Sequence, residues 1–252
     1  MARKPTPKRP LGQALLAYIV TLSLPATAWA CTTCNRELQA ALFDASFVPR
    51  LLAVTLPLLG GGIAIGAAAK WIASRIEDRA SAARRQAPVV CAGTFLGLGL
   101  GGFLDGIVLH QVLQLHQMMS SRVSMLTLDG KNYNMFWDGV FHLGAWTLTV
   151  VGVVVLFRHA GRRDVLFRGG VARAAALFGW GAFNVADSVF NHYLFRFHDV
   201  VQLSPRPGTW NLAFLLFGLA QAVVGGAIVR ARLRRPKISD ADHETITPVR
   251  RP

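Results

Sequence analysis

Apolar residues run along this chain in blocks the length of a bilayer crossing, and polar residues collect between them. Four such windows are clear, at residues 51–69, 139–157, 174–195 and 209–229, each close to the ~20 residues a helix needs to cross the hydrocarbon core. A fifth, 88–109, is interrupted only by Asp105. A shorter apolar run, Leu11 to Leu24, follows Arg3, Lys4, Lys8 and Arg9 and precedes "PATAWA", which ends in a small-x-small site before Cys31. That order of basic, apolar and small residues predicts a cleaved secretory signal. The fold class expected is therefore an all-α integral membrane helix bundle of about five spans after the signal.

The same pattern divides the chain. Residues 1–30 are the signal, and 31–87 hold a short exported segment, a leading transmembrane helix and a basic cytoplasmic loop. Residues 88–230 form a four-helix membrane domain. The tail, 231–252, has few large apolar residues and reads as a disordered cytoplasmic extension.

Charge fixes the expected orientation. The chain is 52% hydrophobic and 16% charged, yet has a net charge of +14. Lys70, Arg75, Arg79, Arg84 and Arg85 lie in one connection, and Arg158, Arg162, Arg163, Arg168 and Arg173 in another. Arg230, Arg232, Arg234, Arg235 and Lys237 open the tail, whereas 31–50, 117–136 and 196–209 hold two basic residues each. The richer set belongs in the cytoplasm. The mature N-terminus is then periplasmic and the C-terminus cytoplasmic, in a bacterial inner membrane. The partner this charge implies is an anionic lipid bilayer, with no nucleic acid needed to account for it.

Candidate chemistry emerges when the chain is set against itself 82 residues on. "DGIVLHQVLQLH" (105–116) falls over "DSVFNHYLFRFH" (187–198), so that Asp105, His110 and His116 align with Asp187, His192 and His198. Gly97 and Gly99 align with Gly179 and Gly181, and each copy leads to a helix opening on Trp plus a polar residue, "WDGVFH" (137–142) and "WNLAFL" (210–215). This predicts a parallel duplicated two-helix hairpin. Asp138 and His142 stand in the first copy where the second has Asn211 and Leu215, so the site is expected to be asymmetric.

Topology places all these groups toward the outer face. A carboxylate buried in a membrane helix costs about 2.5–3.5 kcal/mol on insertion scales, which makes a functional role the default, against interhelical hydrogen bonding or helix capping. Imidazoles oriented by carboxylates suit copper, zinc or iron. On a continuous helix Asp105 and His116 are about 16 Å apart along the axis, so either different helices assemble the centre or the helix breaks near its outer end. The expected inner cluster is His110, His142 and His192, with Asp105 and Asp187 beneath and His116 and His198 nearer the surface. Met118, Met119, Met125 and Met135 follow His116, which suits copper or simply packs a loop cap. Cys31 and Cys34 form a C-x-x-C pair that reads as a redox disulfide, a structural clip or a thiolate site. Gly93, Gly97 and Gly101 predict close helix approach, and Tyr133, Trp137, Tyr193 and Trp210 read as interfacial belt residues.

The segments "GLGLGGFLDGIVLHQVLQLHQM", "WDGVFH" and "FNVADSVFNHYLFRFHDV", spanning roughly 93–225, resemble the bacterial membrane family catalogued as domain of unknown function 2243. The resemblance implies a multi-span inner-membrane protein carrying these Asp and His positions, without an established activity. It also tilts the expected role towards copper or haem handling beside a respiratory-chain assembly partner. The leading expectation is transition-metal binding, with haem as a further candidate cofactor. The rivals are a membrane-embedded metal-dependent hydrolase or oxidoreductase and a proton- or ion-coupled transporter titrating Asp105 and Asp187.

Overall fold

The computed structural model describes residues 36–76 and 85–234. The expected signal, Cys31 and Cys34, the middle of the first basic loop and the tail beyond residue 234 lie outside the described residues. The chain divides into two compact units at Phe47 and Val48. The first contains α1 (Arg36–Leu42) and a turn in which the Asp44 carboxylate accepts from the Ser46 N–H and hydroxyl at 2.9 and 2.7 Å.

The second unit is helical throughout its described length apart from connections. A leading helix runs as α2 (Phe47–Thr55), a π-helical turn π1 (Leu56–Gly60) and α3 (Gly61–Ile76). Pro57 explains the widened turn, because it has no N–H to continue the α ladder and its ring displaces the preceding carbonyl. Then come α4 (Ala87–Leu104), π2 (Asp105–Val112), α5 (Leu128–His159), α6 (Gly169–Asp187), π3 (Ser188–Leu194) and α7 (Pro207–Leu233). Thr127 caps α5 by accepting from the Gly130 N–H at 3.1 Å, and Pro207 starts α7 where a missing N–H costs nothing.

Among the described residues, four helices are long and apolar enough to cross a membrane: Phe47–Ile76, Ala87–Val112, Leu128–His159 and Pro207–Leu233. The expected window at 174–195 became α6 and π3 and is not among these four, whereas the interrupted window at 88–109 is. The spans are built inside out relative to a soluble helix. On α5, Leu143, Trp146 and Phe157 are exposed while Asn134 and Asp138 are buried; on α7, Leu212, Leu216 and Val223 are exposed while Asn211 and Gln221 are buried. Such a surface is at rest only against lipid, so the protein is an integral membrane helix bundle.

Within the bundle α4 is central: 72% of its apolar window is buried, against 17–28% for the other three spans. Glycines permit this. Gly97 abuts the backbone carbonyl of Ala176, and Gly179 abuts that of Thr94, the same contact 82 residues on. Gly99 meets Ala145 and Thr149 of α5, as Gly181 meets Gly218 and Ala222 of α7; Gly152 meets Ala92 and Leu96, as Gly225 meets Ala174 and Phe178. A Cβ at these positions would intrude on a neighbouring helix, so the stripe of small residues sets the interaxial distance. The expected Gly93 and Gly101 contacts are also made, with Ala172 and Ala175 and with Trp180, all on α6.

Helices α4 and α6 thus run side by side in one direction, with α5 and α7 returning along them. The connections leading into α4 and α6 meet at one end, where the Arg85 N–H donates to the Asp164 carbonyl at 2.7 Å and the Leu166 N–H donates to the Arg85 carbonyl at 3.0 Å. The histidine-bearing segments gather at the opposite end.

Candidate metal centre

Both histidine-bearing helices change at their aspartate. Immediately after α4 ends, Asp105 begins a π-helical stretch, and after Asp187 ends α6 the same happens at Ser188. The Leu113 N–H donates to the Val108 carbonyl and the Leu115 N–H to the Leu109 carbonyl, at 2.8 and 2.9 Å. Their counterparts, the Phe195 N–H to Phe190 and the Phe197 N–H to Asn191, are both 2.8 Å. One residue in each segment then adopts left-handed backbone, Gln114 at φ 50° and Arg196 at φ 51°. For a residue with a side chain that conformation costs about 1–2 kcal/mol, and strain of this kind collects at functional sites. Its effect is to fold the chain back, so that His116 and His198 return to the bundle instead of continuing outward.

This reverses part of the expected arrangement. His116 and His198 are each 1% exposed, as buried as His110, and they stack on each other with centroids 4.5 Å apart and planes at 11°. His110 approaches His116 edge-on at 4.4 Å, and His192 approaches His198 edge-on at 4.6 Å. Expected nearer the surface than the inner cluster, the two later histidines instead form the middle of a four-imidazole core. The cause is the π-helix and the left-handed residue, which cancel the axial separation that a continuous α-helix imposes.

Hydrogen bonds settle which ring nitrogen remains available. His116 Nδ1–H donates to the Val200 carbonyl at 2.8 Å, and His198 Nδ1–H donates to the Met118 carbonyl at 3.1 Å. Since a carbonyl only accepts, each ring carries its proton on Nδ1 and leaves the Nε2 lone pair outward. His110 Nδ1 lies 2.8 Å from Asp138 Oδ1. The buried Nε2 atoms of His110, His116 and His198 have no hydrogen-bond partner among the described residues, and one nitrogen from each of these three rings falls within 4.8 Å of the others. Burial holds the His116 and His198 imidazoles well below the ordinary histidine range, and neighbouring imidazoles push them further down. Both rings are therefore neutral in the fold.

Carboxylates sit behind this core. Asp138 Oδ1 also accepts from the Met118 N–H at 2.8 Å, so one carboxylate orients His110 and anchors the returning loop. At the equivalent place Asn211 Oδ1 accepts from the Val200 N–H at 2.9 Å. Asp105 Oδ2 lies 3.1 Å from His110 Nε2, but out of line for a hydrogen bond, and neither Asp105 oxygen accepts one from a described residue. Asp187 is better satisfied: Oδ1 accepts from Asn191 Nδ2 at 2.7 Å and Oδ2 from His192 Nε2 at 3.0 Å. His192 Nδ1–H donates to the His198 carbonyl at 3.0 Å. Asp187, His192 and His198 form a second group of ligand atoms within 4.8 Å of one another.

His142 is not in this core. Its Nδ1–H donates to the Asp138 carbonyl one turn back in α5, at 2.7 Å, and its ring faces Gly106 and Phe103. The expectation that it belongs with His110 and His192 is therefore corrected: matching depth does not give matching azimuth. Nor do the four expected belt aromatics behave alike. Tyr193 and Trp210 are exposed, whereas Tyr133 and Trp137 are buried, with the Arg50 guanidinium hydrogen-bonded to Tyr133 Oη and lying over both rings. Met118, Met119 and Met125 are buried and Met135 is exposed.

Other contributors had only a faint signal in the sequence. Asn134 ties the returning loop to α5, accepting from the Met119 N–H at 2.8 Å and donating to the Val123 carbonyl at 3.0 Å. Asn191 could have been found from its i, i+4 spacing to Asp187. The Val200 and Met118 carbonyls that fix the two tautomers leave no trace in residue type.

A family described as predicted membrane protein, DUF2243, matches residues 92–232, which contain every member of this cluster. No curated protein and no solved structure matches the chain. With more than half of its length matched, the chain belongs to the DUF2243 family of predicted membrane proteins.

Proposed function

We propose that this protein binds a transition metal inside the membrane through the imidazoles of His110, His116 and His198, with Asp187 and His192 beside them. The observation that carries the reading is the trio of buried, unpartnered Nε2 atoms whose rings are locked by Nδ1–H bonds to two carbonyls and a carboxylate. A buried acceptor without a donor is costly, and a cation shared by several removes that cost at once. Rigid imidazoles oriented by carboxylates and carbonyls make a donor set for copper, zinc or iron, whereas magnesium and calcium prefer all-oxygen shells. A metal-dependent reaction in the membrane and the delivery of metal or haem to a respiratory-chain assembly partner are both roles within this reading.

The location completes it: a bacterial inner membrane, with the centre toward the periplasm and the basic connections in the cytoplasm. Support comes from the segregation of Lys and Arg. An internal duplication underlies the site, supported by glycine contacts and loop bonds that recur at offsets of 82 residues on α4 and α6 and 73 on α5 and α7.

Metal analysis with an absorption spectrum tests the reading on tag-free protein purified in detergent without chelator. Stoichiometric copper, zinc or iron is expected, and its loss in His116→Ala. A Soret band would move the reading to haem, and wild-type protein that neither retains nor takes up any metal would overturn it.

A further inference from the structure

Resting on the metal-binding reading above, we infer that the cluster is a two-ion centre, one ion seated on each copy of the Asp–His–His pattern. The argument begins with His198, which belongs to both groups of candidate ligands: His110, His116 and His198, and Asp187, His192 and His198. Its Nδ1–H is committed to the Met118 carbonyl, so it has one lone pair and serves one ion. Two overlapping groups with a single-use member leave two partial shells, and Asp105 is the group that closes the first.

Spacing supports the pairing. Two ligands each about 2.0–2.1 Å from a four-coordinate ion stand about 3.3 Å apart. Asp105 Oδ2 and His110 Nε2 are 3.1 Å apart and Asp187 Oδ2 and His192 Nε2 are 3.0 Å apart, the same pair of atoms at positions 82 residues on. The first pair is out of line for a hydrogen bond, and both Asp105 oxygens are unpartnered while the residue is 5% exposed. At that distance the Asp105 carboxylate needs a positive charge against it, either a proton on His110 Nε2 or a metal ion in the proton's place. The first ion then lies on His110 and His116, with the Asp105 carboxylate 3.1 Å from His110 Nε2, and the second on the group Asp187, His192 and His198. On the second seat the ion displaces the proton now shared by His192 Nε2 and Asp187, which leaves to solvent.

The two seats are not equivalent. Two carboxylates, Asp105 and Asp138, flank His110, whereas at His192 Asp187 stands alone and a carbonyl takes the place of the second. The first seat therefore has the larger negative field and fills first.

Equilibrium dialysis of tag-free full-length protein in detergent against cobalt(II), followed by metal analysis, tests this. Two cobalt ions per chain are expected for wild type, with tenfold or greater separation between the two affinities, and one per chain for either Asp105→Asn or Asp187→Asn. His142→Ala, outside both seats, should retain two. One ion per wild-type chain would overturn the two-ion centre while leaving the metal-binding reading intact, and no bound ion would overturn both. Retention of two ions by Asp187→Asn would overturn the assignment of that seat.

Discussion

His116 and His198 each donate their Nδ1–H to a carbonyl in the other's segment, His116 to Val200 and His198 to Met118. The acceptors lie two residues beyond the opposite histidine, so the two segments clasp each other across the stacked rings. Each histidine is at once a fold element and a ligand candidate. In His116→Ala the Val200 carbonyl is left buried and unpaired, a loss of about 1–3 kcal/mol before packing is counted. Metal content should fall by at least tenfold, whereas His142→Ala should leave it unchanged. Paired melting curves and metal analysis of the two variants check this.

Asp138 separates charge from shape. Its Oδ1 accepts from the Met118 N–H, as the Asn211 amide oxygen does from the Val200 N–H, so an amide at 138 preserves the backbone bond. Asp138→Asn should therefore melt within about 1 kcal/mol of wild type. It should nonetheless bind metal 10–100-fold more weakly, the usual loss when a carboxylate behind a ligating imidazole is neutralised. Competition with a colorimetric chelator gives the affinity, and an unchanged value would remove Asp138 from the centre.

Gly97 and Gly179 hold α4 against α6. A methyl at either would run into a backbone carbonyl, which cannot swing aside. Gly97→Ala and Gly179→Ala should each destabilise the detergent-solubilised protein by about 1–3 kcal/mol, in the range of strained small-to-large core changes. Gly139, in α5, meets nothing within 4 Å; Gly139→Ala should be neutral or stabilising by up to about 1 kcal/mol. Thermal unfolding of the three variants decides.

Stability of the metal-free protein should decline in acid from an identifiable source. Unfolded imidazoles protonate near pH 6.5, whereas His116 and His198 in the fold do so only well below it. Between those limits the unfolded state binds more protons, so stability is full above pH 6.5 and is lost as pH falls. The slope should be about 1.4 kcal/mol per pH unit for each imidazole. His198→Gln should flatten the slope, and an identical slope in that variant would locate the acid sensitivity elsewhere.

Orientation is open to direct measurement. Reporter fusions at residue 125 should read as exported and fusions at the C-terminus as cytoplasmic. An exported C-terminus would place the histidine cluster on the cytoplasmic side and remove the periplasmic setting proposed for it.

Residue pattern alone was enough for the class of the fold and for most members of the candidate site. Windows of about 20 apolar residues admit little besides membrane helices, and the Asp–His–His pattern recurring after 82 residues marked six of the core groups. Glycine spacing also announced which faces would meet, because only a missing side chain lets two backbones approach. Azimuth and the return of the chain came only with packing in three dimensions. An α-helical reading carries His116 outward and aligns His142 with His110 by depth alone. Hydrogen bonding in π2 and π3, and the left-handed backbone at Gln114 and Arg196, instead bring His116 and His198 inward. Neither feature belongs to a residue type: Gln and Arg are ordinary helix formers, and the carbonyls that hold the two rings are present at every position of any chain. The two segments supply each other's acceptors, and that exchange exists only once both are folded together.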